Sequence, residues 1–522
     1  MLNKKPQKYF VLLSYFLLSL IGGLIVFHAM NWGPWAYSDS SAYVSAAKNI
    51  LSGKGFSIIH SSGEVSAVTE FPPFYPIFLS MFFRSNAGFL GCIQISNVLL
   101  FIFSIFIFSQ ILITTTEDHL FSLIGTLLFL SFPLIISTFS SAMSEPLFLF
   151  LLLLSIYAYQ VYITKKKRID LILLIFISSL LPITRYAGIL FVGVFGFCLF
   201  FSLNHLSLSK KIVTISVYFL STYVPIGIWG YYLINKFNQF GGKNFNFSFS
   251  SGLIESFKKQ FDVLKLWVPY LEIYQNTLTE NLILFFSICV IVILFLFTLL
   301  TFKKEKSLIL INMKNMFWVI FSSIIGYFLF IGLSYSITIP QIDIIDRMMI
   351  PIYPLFIILI IISLKSLLTS KSQNILKYTA TLIICLIIIR FNILISTANL
   401  KEMNENGLGF TARVYQKSGI IKAIKDLPPF QILFSNSAGF VLFYDNRYPI
   451  QINNFPNHTF GEGSSYGEKK FREEDAALIL FFSDFSNYYN DQSGSFLNEI
   501  TKTLTIEYID SEGGIYTYPK FD

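Results

Sequence analysis

The stretch NWGPWAYSDSSAYVSAAKNILSGKGFS (31–57), followed after a polar connector by TEFPPFYPIFLSMFF (69–83), decides how this 522-residue chain is organised. It lies between an apolar run at 9–30 and the next apolar block. Two acids, Asp39 and Glu70, stand near its opposite ends among Gly, Pro and aromatic residues. The stretch is too polar to cross lipid and too patterned for a flexible linker. We therefore expect a folded loop on one face of a membrane.

The composition indicates a membrane protein. Of the residues, 54% are hydrophobic and only 13% are charged, whereas a soluble protein carries about 25% charged residues. A spanning helix needs ~20 apolar residues, and on that basis we predict about eleven spans. The predicted spans are 9–30, 88–113, 119–137, 144–163, 169–182, 186–203, 212–234, 282–302, 316–335, 351–368 and 377–395. The expected fold class is an all-α polytopic membrane protein with a small C-terminal α/β extracytoplasmic domain.

Charge sets the predicted orientation. Residues 401–522 hold 11 Lys+Arg and 16 Asp+Glu, a net charge of −5, so the overall +8 leaves +13 for residues 1–400. Basic residues concentrate in short loops such as Lys165–Arg168, which the positive-inside rule places in the cytoplasm. We expect a bacterial cytoplasmic membrane protein with a cytoplasmic N-terminus. This pattern reports topology and does not favour a nucleic acid partner.

Two domains are predicted. Residues 1–395 form the membrane domain and include the first extracytoplasmic loop, 31–76. Residues 396–522 form the soluble extracytoplasmic α/β domain. Its predicted elements are a helix at Arg413–Leu427, a strand at Phe430–Phe434, a helix at Ala438–Tyr444, strands near Tyr448–Ile452 and Ala477–Phe482, and a hairpin of 504–509 with 514–518.

Two apolar segments do not fit a simple span. Pro73 to Phe83 is too short to cross the membrane, so we expect an interfacial or re-entrant helix. The block 169–203 is long for one span and short for two, with Pro182 and Arg185 near its middle. A broken pair of helices explains this length, because irregular backbone at membrane depth must line protein or water.

The acids of the first loop are candidate catalytic groups. Asp39 precedes a helical pattern, so it is either an N-cap or a general base, since burial near apolar walls raises the proton affinity of a carboxylate. Glu70 precedes Phe71-Pro72-Pro73 and is either an ordinary loop acid or a second carboxylate on a stiff support.

Two arginines are candidate anion ligands. Arg185 lies at membrane depth, where a cation normally faces a cavity and a partner. It either pairs with an acid such as Glu145 or binds a phosphate, which suits a guanidinium. Arg347 either snorkels to the interface or pairs with Asp343, or it is a second phosphate ligand. In Ser144-Glu145-Pro146, Glu145 is typical of the first turn of a helix, with a possible supporting role at the site.

The sequence gives no sign of a metal or nucleotide cofactor. Its five His residues are scattered without ligand spacing, and its four Cys residues lie in apolar segments without a CxxC pair. No Walker motif or dinucleotide fingerprint occurs. We expect no metal site and no required cofactor.

Six motifs, taken in order, resemble the C-type glycosyltransferase superfamily, specifically the bacterial relatives of protein O-mannosyltransferases and of the lipid A aminoarabinose transferase. They are SDSSAYVSAAKNILSGKGFS (38–57), TEFPPFYPIF (69–78), SEPLFLFLLLL (144–154), LPITRYAGILF (181–191), DRMMIPIYPLF (346–356) and LFSNSAGFVLFYDNRYPI (433–450). Tyr43 and Tyr75 lie within the first two motifs and are counted as support for the site.

The resemblance implies a membrane glycosyltransferase that moves a hexosyl or pentosyl group from a polyprenyl-phosphate carrier to an acceptor on the extracytoplasmic face, with inversion. Asp39 matches the family's first-loop acid, although Ser40 stands where many relatives carry a second acid. Glu70 falls near a polar residue that precedes the Pro-Pro element. Arg185 and Arg347 are assigned to the carrier phosphate. The implied partners are membrane lipid, the lipid-linked donor and an acceptor that is a protein, a lipid or a glycan.

Two other functions remain open at this stage. A lipid-linked sugar flippase would also have many spans and a membrane-depth arginine, although no inverted repeat is visible. A glycan polymerase or ligase is likewise built from many helices.

Overall fold

The computed structural model describes residues 4–83, 88–204, 206–237, 241, 244–245, 252–267, 296, 298–302, 308–339, 341–369, 375–451, 476–482 and 504–517. The named helices are α1 (Lys4–Ala29), α2 (Ser38–Leu51), α3 (Phe74–Phe82), α4 (Gly88–Thr116), α5 (His119–Ser131), α6 (Pro133–Phe139), α7 (Glu145–Lys165), α8 (Arg168–Thr184), α9 (Gly188–Ser202), α10 (Leu208–Phe237), α11 (Gly252–Lys265), α12 (Leu308–Ile337), α13 (Asp346–Met349), α14 (Ile352–Thr369), α15 (Ile375–Asn406), α16 (Arg413–Lys417), α17 (Ile420–Asp426) and α18 (Ala438–Asp445).

The helices make a multi-pass membrane protein. Among the described residues, six helices are long and apolar enough to cross a membrane, or seven if the pair α5 and α6, bent by 63°, counts as one span. Two shorter apolar helices, Gly188–Ser202 and Ile352–Leu367, lie among them. The predicted span 282–302 falls mostly outside the described residues. The polytopic fold is confirmed, and the count of eleven spans is not.

The predicted break in the 169–203 block is confirmed. α8 ends at Thr184, α9 begins at Gly188, and Arg185 lies in the gap. The Gly188 position allows a very close approach: a Cβ there would lie 2.3 Å from the backbone carbonyl carbon of Leu181. Any larger residue would push α8 and α9 apart, and Arg185 would move with them.

The first loop forms a compact unit of α2, a small hairpin and α3. Strands β1 (Ser57–Ile59) and β2 (Val65–Ala67) pair antiparallel. The expected short helix after Pro73 is present as α3. Trp35 donates its backbone N–H to the Ser140 carbonyl at 3.0 Å. The loop is thereby fastened to the turn before α7.

The C-terminal region carries a five-stranded sheet with strand order β6-β5-β7-β9-β8. Its strands are β5 (Leu433–Ser435), β6 (Ile450–Gln451), β7 (Ala477–Phe481), β8 (Thr505–Ile509) and β9 (Gly513–Thr517). β5 runs parallel to β6 and β7, while β9 is antiparallel to β7 and β8. The small α/β region expected from the sequence is confirmed. A further strand pair, β3 (Asn244–Phe245) with β4 (Thr338–Ile339), lies outside this sheet.

Two predictions in this region were wrong in detail. The helix expected over Arg413–Leu427 is two short helices, α16 and α17. The chain breaks because Ser418 is extended and its Oγ accepts the Ile420 N–H at 3.0 Å, which starts a new helix. The first strand begins at Leu433 instead of Phe430, which lies in an exposed turn after Pro428-Pro429.

Asp510 holds the β8–β9 turn. Its Oδ1 accepts the backbone N–H groups of Glu512 and Gly513 at 2.8 and 3.0 Å, and its Oδ2 accepts the hydroxyls of Ser418 and Tyr508. Partial burial alone would raise the pKa of Asp510, but these hydrogen bonds outweigh it and lower the pKa.

Asp510→Ala should therefore destabilise the C-terminal region by roughly 1–3 kcal/mol, the effect of losing hydrogen bonds to a charged group. Because the folded-state pKa is lowered, the wild-type advantage is complete above the ordinary carboxyl pKa and disappears as the pH falls through the lowered value. Thermal unfolding of both proteins as a function of pH measures this difference. Glu512→Gln is the matched control, since the described hydrogen bond of the Glu512 carboxylate is with the neighbouring Ser511 hydroxyl, which a glutamine side chain can still accept. An equal loss in both variants would contradict the assignment.

Candidate active site

Asp39 is the second residue of α2. The N-cap is Tyr37, whose backbone N–H is accepted by the Ser40 side chain at 3.1 Å. The N-cap interpretation of Asp39 is therefore wrong, although its negative charge still lies favourably in the first helical turn. Its carboxylate is not used for capping and is free to contact another element.

That contact is Arg347. Arg347 Nη2 donates to Asp39 Oδ2 at 2.6 Å, and the two side chains remain 31% and 29% exposed. Arg347 belongs to α13, a four-residue helix just before α14. Pairing with Asp343 was one of the alternatives for Arg347, and the observed partner is instead Asp39, which lies 308 positions away in the chain. One member is an acid of the first loop, and the other is a cation in the short helix that precedes α14.

Arg185 pairs with Glu145. Its Nη1 lies 2.7 Å from Glu145 Oε1 and donates to Ser144 Oγ at 3.0 Å. Glu145 begins α7, as predicted, with Ser144 at the N-cap and Pro146 in the first turn. Glu145 is buried, so Arg185 compensates a charge that would otherwise be costly there. The structural alternative for Arg185 is thus observed.

Met143 connects the two ion pairs. Its sulfur lies 3.6 Å from Arg347 Nη1 and receives the Ser40 hydroxyl at 3.4 Å. Residues 143–145 therefore touch both arginines. The four charged groups form one cluster with a formal charge of zero, and Asp39 and Arg347 are its most accessible members.

Aromatic side chains pack α2 against the segment that leads into α3 and against α3 itself. The Tyr43 ring lies 4.7 Å from Phe71 and 5.1 Å from Tyr75, centroid to centroid. The Tyr43 hydroxyl is 3.3 Å from Ser144 Oγ. Burial raises the pKa of Tyr43 despite the opposing effect of Arg185, and burial also raises that of Tyr75. Both phenols therefore stay neutral and act as packing and hydrogen-bonding groups.

The C-terminal region accepts two hydrogen bonds from side chains of α2. Ser41 Oγ donates to the Gly439 carbonyl at 2.6 Å, and Lys48 Nζ donates to the Phe443 carbonyl at 2.9 Å. Burial, with Lys425 nearby, lowers the pKa of Lys48 to about 8. The helix that contains Asp39 is thus packed between α3 and α18.

A cavity of about 470 Å³ opens above Asp39. Its walls come from α2, from the hairpin and the segment after it, and from the C-terminal region. Asp39 and Glu70 both line it. The other polar lining groups include Ser38, His60, Ser66, Thr69, Asn436, Ser437, Tyr448 and Gln451. The two acids predicted at the ends of the loop therefore share one cavity.

Sequence reasoning missed several of these residues. Met143 was not identified, and its position directly before the Ser144-Glu145-Pro146 motif is the signal that could have found it. Ser144 was expected as a helix cap, but its hydrogen bond to Arg185 was not predicted. His60 and Tyr448 meet through a parallel bridge between the hairpin and the C-terminal region, with ring centroids 5.5 Å apart. Nothing in the local pattern of either residue indicates that contact. Among the described residues, no group of three or more His, Cys, Asp or Glu side chains is placed to hold a metal ion.

A bundle of membrane helices, a folded first loop and a C-terminal α/β region packed against that loop also make up the fold of two solved glycosyltransferase structures. One similar structure is ArnT, the lipid A aminoarabinose transferase, from Cupriavidus metallidurans bound to undecaprenyl phosphate. It has a TM-score of 0.59 and 10% identity, and the match covers 97% of this chain and 99% of that one.

A second similar structure is the archaeal oligosaccharyltransferase AglB from Archaeoglobus fulgidus, in complex with an inhibitory peptide and a dolichol-phosphate. Its TM-score is 0.55 at 10% identity, covering 99% of this chain and 75% of that one. No protein-family model matches the sequence, and no curated protein does. These likenesses confirm the fold expected from the six motifs.

Proposed function

We propose that the protein is a membrane glycosyltransferase that moves a sugar from a polyprenyl-phosphate carrier to an acceptor on the extracytoplasmic face. The observation that carries this proposal is the contact of Asp39, which lines the cavity, with Arg347. It places a carboxylate that can take a proton beside a guanidinium that can hold a phosphate. The lipid phosphates bound by ArnT and AglB support the choice of carrier.

The charge balance of the cluster shapes the binding step. Because Asp39 and Glu145 already neutralise the two arginines, an incoming phosphate competes with Asp39 for Arg347. Arg185 makes both described contacts through Nη1, so these contacts leave its Nε and Nη2 for the carrier. Binding of the phosphate would then release the Asp39 carboxylate toward the cavity at the moment a base is needed.

Transfer follows from that arrangement. The acceptor hydroxyl attacks the anomeric carbon, its proton passes to Asp39, and the bond from that carbon to the phosphate oxygen breaks with inversion. The bonding electron pair leaves with the polyprenyl phosphate. Arg347 and Arg185 stabilise the growing negative charge, an electrostatic contribution that is usually large. The lipid phosphate is its own leaving group, so no nucleotide is required.

The proposal includes an orientation. The basic loops lie in the bacterial cytoplasm with the N-terminus, and loop 31–76 lies outside with the C-terminal region. Residues 1–395 form the membrane domain and 396–522 the outer one. The helix α15 continues past that boundary to Asn406, so the connection between the two domains is helical.

The direct test uses the purified protein in nanodiscs with radiolabelled polyprenyl-phosphate hexoses and pentoses and a cell-envelope acceptor fraction. Release of free polyprenyl phosphate together with label in the acceptor is the expected result. Movement of intact donor between leaflets of proteoliposomes, without bond cleavage, would identify a flippase and overturn the proposal.

The Arg185→Lys variant distinguishes a role of Arg185 in carrier binding from its structural pairing with Glu145. Lysine keeps a positive charge beside Glu145 but loses the planar fork, so we expect about tenfold weaker binding of undecaprenyl phosphate with little change in thermal stability. Arg185→Ala should instead lower protein yield, because Glu145 is left buried and unpaired. Unchanged lipid affinity in Arg185→Lys would restrict Arg185 to its structural pair.

A further inference from the structure

The cavity wall opposite Asp39 is an ordered polar surface. His60 Nε2 is hydrogen-bonded to Ser66 Oγ at 2.8 Å, and its ring meets the Tyr448 ring edge to face at 5.5 Å and 85°. Glu70 lines the same wall and is exposed to the cavity. Burial, together with the nearby Glu70 carboxylate, raises the pKa of Tyr448, so its phenol stays neutral.

The residues that follow the parallel strand β5 of the C-terminal sheet line this cavity. Asn436 and Ser437 follow the carboxyl end of β5, which has parallel neighbours on both sides. In sheets of this kind, ligands bind outside the carboxyl ends of the strands where the connections diverge. The Asn436 side chain bridges to β7 by accepting the Phe481 N–H and donating to the Phe481 carbonyl, both at 3.0 Å. The edge is therefore rigid.

The residues that line the cavity come from the first loop and the C-terminal region. In the proposed mechanism the lipid phosphate reaches the arginines from the membrane helices, so the second substrate reaches Asp39 from the other side, through this cavity. Its volume of about 470 Å³ lies within the range of small-molecule sites. Hydroxyl, imidazole and phenol groups surround it, with Phe410 as an apolar face.

We propose that this cavity binds the acceptor, and that the acceptor is an uncharged, polyhydroxylated glycan. The inference rests on the proposed function. Glu70 lines the cavity, and Asp39 adds a second negative charge once the carrier phosphate has displaced it from Arg347. These carboxylates disfavour a phosphorylated or carboxylated acceptor, because like charges brought together reduce affinity. Neutral hydrogen-bonding groups and an aromatic face suit sugar hydroxyls and ring carbons. Glu70 is the specificity-determining residue of this site.

The experiment compares two probes that share one sugar ring, a neutral methyl hexoside and its anionic 6-phosphate. The Glu70→Gln variant isolates the effect of charge, since it changes neither probe. Their binding to the full-length protein in nanodiscs is measured by saturation-transfer NMR in the presence of undecaprenyl phosphate. We expect the phosphate to bind at least about fivefold more weakly, which is the effect of one partly solvated carboxylate on a nearby anion. Glu70→Gln should remove most of that difference while the affinity for undecaprenyl phosphate stays unchanged.

Glu64→Gln is the matched control. Glu64 lies in the turn of the same hairpin, is exposed, and does not line the cavity. The Glu64→Gln variant should still prefer the neutral probe to the same extent as the wild type. Equal or tighter binding of the phosphorylated probe by the wild type, no saturable binding of either probe, or the same effect in Glu64→Gln and Glu70→Gln would each overturn the inference.

The result is distinguishable from failure of the proposed function. If labelled donor is turned over but neither probe binds, the transferase stands and the acceptor assignment falls. If the neutral probe binds selectively but no donor is cleaved, the acceptor role is overturned together with the transferase.

Discussion

Asp39→Asn should reduce sugar transfer by about 10²- to 10⁴-fold, the range expected when a general base is removed. Asparagine has nearly the same shape, and its carbonyl oxygen can still accept the hydrogen bond from Arg347 Nη2. It cannot take the acceptor proton. The fold should therefore remain close to wild type. The affinity for the lipid carrier should stay the same or increase, because the phosphate no longer competes with a carboxylate for Arg347. The loss therefore falls on kcat.

Initial rates with labelled donor, together with thermal unfolding and undecaprenyl phosphate binding, measure this. Glu64→Gln again provides the matched control, because it removes one carboxylate from the same loop away from the cavity. Its transfer rate should match wild type. Full activity in Asp39→Asn would remove Asp39 from the mechanism.

Arg347→Gln is expected to have the second large effect. It removes the cation nearest the leaving phosphate, so transfer should fall by about 10²- to 10³-fold, the loss found when one preorganised electrostatic contact is deleted. Carrier affinity should fall as well, by about tenfold or more, since a charge-assisted hydrogen bond to phosphate is lost. Both changes distinguish Arg347 from Asp39, whose replacement spares lipid binding.

An ion pair elsewhere in the chain supplies the control for Arg347. Lys365 lies 2.6 Å from Asp118, the same separation as in the Asp39–Arg347 pair, but outside the cavity lining. Lys365→Gln should lower thermal stability without changing carrier affinity or the turnover of folded protein. If Arg347→Gln behaves in the same way, the Asp39–Arg347 pair is structural. The double variant Asp39→Asn/Arg347→Gln would then recover stability, and its recovery would count against the proposal.

Local sequence patterns were sufficient to predict individual helices and to identify individual candidate site residues. The short helix after Pro73, the break at Arg185 and the start of α7 at Glu145 each follow from proline positions and apolar length. Asp39 and Arg347 each stood out as a charge beside apolar walls. The contact between them could not be predicted from the sequence, because the two residues are 308 positions apart and only the packing of the helices brings them together.

The remaining differences between the predicted and the observed structure arise from contacts between segments that are distant in the chain. The sequence of one segment alone does not reveal such contacts. The cap of α2 moved to Tyr37 because Ser40, not Asp39, supplies the local hydrogen bond. The helix expected after Arg413 was interrupted because Ser418 bonds to Asp510 from a distant strand. The contact of His60 with Tyr448 arises from docking of the first loop on the C-terminal region. Each outcome was decided by a partner far away in the chain.

The central claim is most directly tested by an experimental structure of the protein with undecaprenyl phosphate bound in nanodiscs. The proposed mechanism predicts the phosphate within hydrogen-bond distance of Arg347 and Arg185, with the Asp39 carboxylate released from Arg347 and turned toward the cavity. A phosphate bound elsewhere, with Asp39 Oδ2 still 2.6 Å from Arg347 Nη2, would contradict it.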